Sequence, residues 1–301
     1  MRFDICISFD DATYLDSQIY LLIDTLKSNI SKDTILHIVT NRPDNDKVLK
    51  HIQDSMNVEI YKKPTPEGLK SRCKYLLNAV EVETDADYLV RMDVDMLALQ
   101  HLDWISEQTK HGYDIIIQGE NRRTIKGDNL ETRIWRQIYK AMNIKMPEWK
   151  INYVENHERG RPLFNTGFMI IKSDILPTIR RRWKDLTMIC EKWIQFGIHP
   201  NESAMTGLII DEGWNWGTLS GEDVFNPIGH FRKGNYPSIE LVDDCILPSE
   251  VKMLHWHHSN WLMHLAKYNE DISDIICRNE KYIPDDWWKL GLEEFMERNE
   301  K

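Results

Sequence analysis

The sequence predicts an α/β fold with a mainly parallel central sheet, and two observations predict it. Over the first hundred residues, apolar positions switch repeatedly between a period of two and helical spacing. Each switch is punctuated by turn residues such as Asn41, Pro43, Pro64, Pro66 and Gly68. Two acidic clusters, Asp10-Asp11 and Asp93-Val-Asp95, follow apolar strand-like segments directly, and the carboxyl ends of strands are where such sheets bind ligands.

The elements follow in order. Phe3, Ile5, Ile7 and Phe9 mark a strand. Ile19, Leu22, Ile23 and Leu26 mark a helix, with Asp16 or Ser17 as its cap. A second strand runs from Ile35 to Val39 and is closed by the turn Asn41-Arg-Pro-Asp44. Val48, Leu49, Ile52 and Met56 describe a helix, and Val58 to Tyr61 a third strand. A further helix carries Leu69, Cys73, Leu76, Leu77 and Val80 before the fourth strand, Tyr88 to Met92. Such alternation means βαβ units. Beyond residue 100 the pattern loosens. Tyr113 to Gln118 and Phe168 to Ile171 read as strands, and Ile175 to Trp193 mostly as helix. Residues 213–250 are rich in Gly, Pro and Asn and read as loops around a site. From Tyr282 onward, Pro284, Trp287, Trp288, Leu292 and Phe295 read as an amphipathic helix. With no repeat or linker, residues 1–301 are expected to form one domain. Three stretches are distinguished within it: 1–100, 101–265 and a helical extension over 266–301.

Composition narrows the function. Of 301 residues, 42% are hydrophobic and 10% aromatic, enough for a sizeable core. Eleven tryptophans offer flat apolar faces that suit sugar rings, although core packing is the commoner use of any one of them. A net charge of −10 argues against a nucleic-acid surface. The basic run Arg180-Arg-Arg182 reads as a solvated helix face. An acidic protein that handles a diphosphate needs a cation to offset repulsion. Cys6, Cys73, Cys190, Cys245 and Cys277 are widely spaced, with no C-x-x-C pair, as in a reducing compartment. Neither a signal peptide nor a run of roughly 18 apolar residues is visible, so the expected location is cytoplasmic, with no integral membrane segment.

Asp93 and Asp95 carry the central chemical signal. Two carboxylates at i and i+2 beyond a strand can share one hard cation, Mn²⁺ or Mg²⁺, that bridges phosphates. Asp44-Asn-Asp46 and Asp85-Ala-Asp87 repeat the spacing but sit in polar turns, where solvated carboxylates are expected. Leu254-His-Trp-His-His258 places three histidines within four residues, able to complete a coordination shell or equally to serve as surface or core histidines. No G-x-G-x-x-G, Walker A, H-E-x-x-H or G-x-S-x-G motif occurs.

Ile5-Cys-Ile-Ser-Phe-Asp-Asp-Ala-Thr-Tyr14 resembles the opening of the retaining GT-A glycosyltransferases of families 8 and 34. So do Tyr88-Leu-Val-Arg-Met-Asp-Val-Asp-Met-Leu97, Phe164-Asn-Thr-Gly-Phe-Met-Ile-Ile171, Asn201-Glu-Ser-Ala-Met-Thr-Gly-Leu208 and Leu254-His-Trp256, in the family order. Met-Asp-Val-Asp and Asn-Glu-Ser-Ala also resemble family 6, whose members use galactosyl donors.

The resemblance implies a metal-dependent, retaining transfer of a hexosyl group from a nucleotide-sugar donor, a UDP-sugar, to a saccharide, glycolipid or protein acceptor. Asp10 and Tyr14 would read or stack on the base, at an interval one residue longer than usual, with Ser8 and Asp11 in the same donor-binding stretch. Arg72 would lie near the donor. Asp93 and Asp95 would bind the metal, Asp93 also touching ribose, and His255 would complete the shell. Asn165 and Gly167 would line the sugar site. The family's phosphate-gripping lysine is missing, leaving His257 or His258 to substitute. Glu202 stands where family 8 usually has Gln and family 6 has Glu. It is either an exposed loop glutamate or a carboxylate beneath the anomeric carbon, acting as nucleophile or as stabiliser of an oxocarbenium-like centre. Gly221-Glu-Asp223 is structural or acceptor-facing. The competing readings are a sugar-phosphate nucleotidyltransferase, which residues 8–14 oppose by containing no glycine, a metal phosphoesterase, which would need more ligands near Asp93, and a non-catalytic sugar-nucleotide or glycan-binding relative.

Overall fold

In a computed structural model, residues 1–69, 72–119, 128–148, 151–152, 159–160, 162–196, 199–227, 247, 249–257 and 259–288 are described. Strand β1 (Phe3–Phe9) leads through a short 3₁₀ turn into helix α1 (Asp16–Asn29). Then come β2 (Leu36–Thr40), α2 (Lys47–Ser55), β3 (Val58–Lys62), β4 (Tyr88–Met92) and β5 (Met96–Ala98). The second half contains α3 (Trp104–Thr109), β6 (Ile115–Gly119), α4 (Asp128–Ala141), β7 (Ile151–Asn152), β8 (Arg159–Gly160) and β9 (Phe164–Lys172). It continues with α5 (Leu176–Cys190), α6 (Pro200–Glu212), β10 (Trp216–Thr218), β11 (Val224–Phe225) and β12 (Met253–His255). Helices α7 (Ser259–Ala266), α8 (Glu270–Arg278) and α9 (Asp285–Trp288) complete it.

Seven strands form the main sheet in the order β10-β6-β9-β4-β1-β2-β3. All neighbours run parallel except β9, which is antiparallel to both β4 and β6. The expected mainly parallel sheet is therefore present. β1 is buried along its whole length, because helices cover both faces of this sheet. Its two faces feed different core layers. Phe3, Ile5, Ile7 and Phe9 pack with Ile19, Leu22, Ile23 and Leu26 of α1 and Val48, Leu49 and Ile52 of α2. Cys6 points into the other layer, with Ile179 and Trp183 of α5 and Ala204, Met205 and Leu208 of α6. A third apolar cluster joins Leu97 and Leu254 to Trp256, Trp261, Ile272 and Ile276, so α7 and α8 pack over the small sheet β11-β12-β5.

Several local expectations change. Neither Asp16 nor Ser17 caps α1, because the 3₁₀ turn runs straight into the helix and Leu15 holds the cap position in helical conformation. Asp16 pairs instead with Arg42 at 2.7 Å, and Ser17 Oγ donates to the Tyr282 carbonyl. Asp46 is not a solvated loop carboxylate: it caps α2, accepting from the Val48 and Leu49 amides at 2.8 and 3.2 Å. The segment that ends at Val80 is a 3₁₀ helix over Arg72–Val80, tethered by Tyr75 and Asn78 donating to the carbonyls of Lys63 and Pro64. Arg180 and Arg182 are engaged rather than solvated, the first donating to the Val80 carbonyl at 2.6 Å and the second pairing with Asp211 at 2.6 Å. The expected helix from Tyr282 begins as a 3₁₀ turn and α9, while Leu292 and Phe295 lie outside the described residues. Among the described residues, no helix is long and apolar enough to cross a membrane.

Candidate active site

The site forms at the carboxyl edge of β1 and β4. Beyond β4 the chain is held by two backbone hydrogen bonds, Asp93 N–H to Gly167 O (2.8 Å) and Trp256 N–H to Asp95 O (3.1 Å). Antiparallel pairing of β12 with β5 sets His255 opposite Met96, so an imidazole distant in sequence arrives beside the acidic pair. His255 Nε2 lies 3.3 Å from Asp95 Oδ1 and 3.7 Å from Asp93 Oδ2. His257 adopts φ 55°, a left-handed conformation rare for a side-chain-bearing residue, and its ring centroid lies 3.7 Å from that of His255. Its Nε2 meets Asn226 Oδ1 at 3.1 Å, leaving Nδ1 facing Asp95 at 3.9 Å.

One carboxylate oxygen and two imidazole nitrogens, from Asp95, His255 and His257, thus fall within 4.8 Å of one another. This mixed oxygen and nitrogen set fits a divalent cation of intermediate softness better than an all-oxygen cage would. Gly167 is required beneath it. A Cβ there would overlap the His255 ring and approach Asn165 Oδ1 at 2.8 Å. Asn165 is buried and accepts the Gly167 amide at 2.6 Å.

Asp93 is engaged differently. Arg91, fully buried at 0% exposure, donates to the Thr166 carbonyl and to Asp93 Oδ1. Burial pushes the Asp93 carboxyl above the ordinary carboxylate range and the Asp95 charge adds to this, against the pull of Arg91 and His255. Burial also pushes Asp95 upward, but His255 and His257 outweigh it and hold that carboxyl below the ordinary range.

Helix α6 forms the opposite wall. Pro200 opens it and Gly213 closes it at φ 65°. Asn201 Nδ2 donates to Thr166 Oγ1 at 2.8 Å, and Trp183 Nε1 to the Asn201 carbonyl at 2.9 Å, so the first turn is locked against β9 and α5. Glu202 in that turn is 4% exposed, which makes it a cavity residue rather than a surface loop glutamate. His199 Nδ1 lies 3.9 Å from its Oε1.

These groups share one cavity of about 370 Å³. Ser8, Asp10 and Tyr14 line it from the β1 side, Asp93, Asp95 and His255 from the middle, and Asn165 and Glu202 from the far side. Tyr14 is 70% exposed, at the mouth. Asp11 is not in the wall: it is exposed, with Asn41 Nδ2 at 3.4 Å. The Arg72 side chain and all of His258 lie outside the described residues. Asp223 is buried, accepts from Ser220 and pairs with Lys252 at 2.6 Å, a loop-holding arrangement.

Sequence reasoning missed Arg91, His199 and the place of His257. For Arg91 a signal existed: an arginine inside an otherwise apolar strand demands a buried counter-charge, and Asp93 stands two residues on. His257 stands out in the sequence as one of the three histidines in 254–258, but its place beside Asp95 depends on a left-handed backbone.

Residues 13–194 match the family described as the Rhodobacterales glycosyltransferase domain. No curated protein matches the chain in sequence. Among solved structures, the galactosyltransferase LgtC in complex with donor and acceptor sugar analogues is similar, with a TM-score of 0.54 and 13% identity over 95% of this chain and 99% of that one. A glutamine-to-glutamate active-site mutant of LgtC gives 0.54 and 15% over the same shares. Mouse xyloside xylosyltransferase 1 in apo form gives 0.52 and 12% over 85% of this chain and 97% of its own. These likenesses identify the fold as GT-A, as the resemblance to families 8 and 34 implied.

Proposed function

This chain belongs to the Rhodobacterales glycosyltransferase domain family, and on that premise we propose that it transfers a hexosyl group from a UDP-sugar to an acceptor hydroxyl with retention of configuration, using a divalent cation. The observation that carries the reading is the convergence of the Asp95, His255 and His257 ligand atoms, within 4.8 Å of one another, with buried Glu202 on one cavity at the carboxyl edge of the sheet. The reading treats residues 1–301 as one domain, with the donor carried by the first hundred residues and the sugar and acceptor by 101–265.

Asp95, His255 and His257 would hold Mn²⁺ or Mg²⁺, and Asp93 flanks them. The nitrogen donors favour Mn²⁺ of the two. The cation, when bound, supplies charge neutralisation for the diphosphate as it leaves. Asp10 and Tyr14 hold the base, and Ser8 Oγ, buried in the cavity wall, faces the donor. Asp93, anchored by Arg91, reaches the ribose. Asn165 and Gly167 shape the sugar end, where Glu202 sits buried in the wall. The bond from the anomeric carbon to phosphate oxygen breaks, the bond to acceptor oxygen forms on the same face, and the acceptor's hydroxyl proton passes to the departing diphosphate. Glu202 stabilises the positive charge that develops between these events, or captures the carbon transiently as a glycosyl ester.

The test is a panel of nucleotide sugars assayed for nucleoside diphosphate release with and without Mn²⁺, followed by NMR of the glycoside formed. Metal-dependent release from a UDP-sugar and a retained anomeric configuration are expected. Release indifferent to chelator would remove the cation from the reading, and an inverted product would remove retention.

A further inference from the structure

Arg42 is a buried arginine outside the cavity wall, 3% exposed, in the loop after β2. Its guanidinium reads the backbone of the loop after β1. Nε donates to the Asp10 carbonyl at 2.8 Å and Nη2 to the Ala12 carbonyl at 3.0 Å. The same group pairs with Asp16 at 2.7 Å and Asp46 at 3.6 Å, and its carbon lies 5.2 Å from the centroid of the Phe9 ring. The Ala12 carbonyl also accepts the Leu15 amide at 3.1 Å, so the fork grips the point where the turn bearing Tyr14 begins. Arg42 is in turn held by Lys62, whose Nζ donates to its carbonyl.

A buried guanidinium carries a large desolvation cost, offset here only because two carboxylates and two carbonyls receive it at once. Its geometry is specific as well: a planar fork can meet two adjacent carbonyls, whereas an ammonium acts as a point charge. Asp10, whose own carbonyl is gripped, and Tyr14, two residues beyond Ala12, line the cavity.

We infer that Arg42 is a positioning residue for the nucleobase end of the donor site, holding the Asp10–Tyr14 loop in its binding shape before the nucleotide arrives. The inference rests on the reading that Asp10 and Tyr14 receive the donor base. Preorganisation of this kind lowers the ordering cost of binding and leaves the bond-breaking step unchanged.

The experiment compares wild-type protein with Arg42→Lys, which keeps a cation between Asp16 and Asp46 but loses the fork. Calorimetry in Mn²⁺ gives Kd for UDP, uridine and inorganic pyrophosphate. Expected for Arg42→Lys is a rise of about tenfold in Kd for UDP, roughly 1.4 kcal/mol, with a matching loss for uridine. Pyrophosphate and Mn²⁺ affinities stay unchanged, and kcat at saturating donor stays within about twofold. An unchanged UDP Kd in folded Arg42→Lys overturns the inference, as does equal weakening of UDP and pyrophosphate, the mark of a merely structural role. Wild-type protein that binds pyrophosphate with Mn²⁺ but neither UDP nor uridine counts against the donor reading itself. If the variant does not fold, hydrogen exchange on wild type decides. Slow exchange of the Leu15 amide before nucleotide is added supports preorganisation, and exchange at the free-chain rate overturns it.

Discussion

Histidine–carboxylate clusters sit at both ends of the central strands, and they behave differently. At the amino ends of β1 and β2, Asp4 accepts from the Thr84 hydroxyl at 2.6 Å and the Ile35 amide at 3.2 Å, and His37 lies 3.4 Å away. His37 is 1% exposed and faces Glu59 on its other nitrogen at 3.4 Å. At the carboxyl ends, Asp93, Asp95, His255 and His257 use the same residue types but open into a cavity shared with Glu202. In the first cluster each Asp4 oxygen has a protein donor, and the group serves as a fastener between strands. In the second, two carboxylates and two imidazoles converge on a cavity, the kind of arrangement that marks a candidate ligand site. The difference lies in the cavity that the second cluster opens onto, not in its residue types.

The widest separation between the two ends is expected from alanine at each. Asp95→Ala should lower nucleotide-sugar turnover by about a thousandfold or more while the urea midpoint stays near wild type. Asp4→Ala should do the reverse, lowering stability by about 3 kcal/mol with kcat per folded molecule preserved. Turnover near normal in Asp95→Ala would dissolve the contrast. Within the carboxyl-end cluster, Glu202→Gln should cost about a hundredfold in kcat with little change in donor KM. A rise in KM at constant kcat would move Glu202 from the reacting centre to simple binding. Gly167→Ala should weaken Mn²⁺ binding by about tenfold or more, because the new methyl displaces the His255 ring, and calorimetry of the metal alone reads this directly.

The smallest effect sharpens the amino-end cluster. Burial pushes the Asp4 carboxyl upward, but hydrogen bonds from His37, Thr84 and the Ile35 amide outweigh it, holding it below the ordinary carboxylate range. A depressed folded-state value contributes stability above the unfolded pKa, and that contribution disappears as the pH falls through the folded value. The stability gap between wild type and Asp4→Asn should therefore be full at about pH 7 and close progressively below about pH 4. A gap that persists undiminished into strong acid would mean that packing, not ionisation, fastens this end.

The strands of the first half were legible because each is a short apolar run ended by turn residues, and β4 begins and ends where expected. Asp46 was misread as solvated, although an acidic residue just before a helix is a capping signal. Asp93, Asp95 and Glu202 were legible as carboxylates beside recognisable motifs. Arg91 could have been read from its place in a buried strand. Arg42 could not, because the carbonyls it grips belong to a different βα loop.

What the sequence determined by itself was the alternation of strand and helix, the family resemblance and the placement of an acidic pair at a strand end, all of which depend on local spacing. The tertiary structure decided which histidines reach that pair, since β12 pairing with β5 and a left-handed turn at His257 bring them there. It also decided that Glu202 is walled in and that Asp4, with equally acidic chemistry, is a fastener. Local spacing fixes how residues follow one another, but electrostatics depends on distance in space and on what has been excluded from it, and only the folded chain sets those.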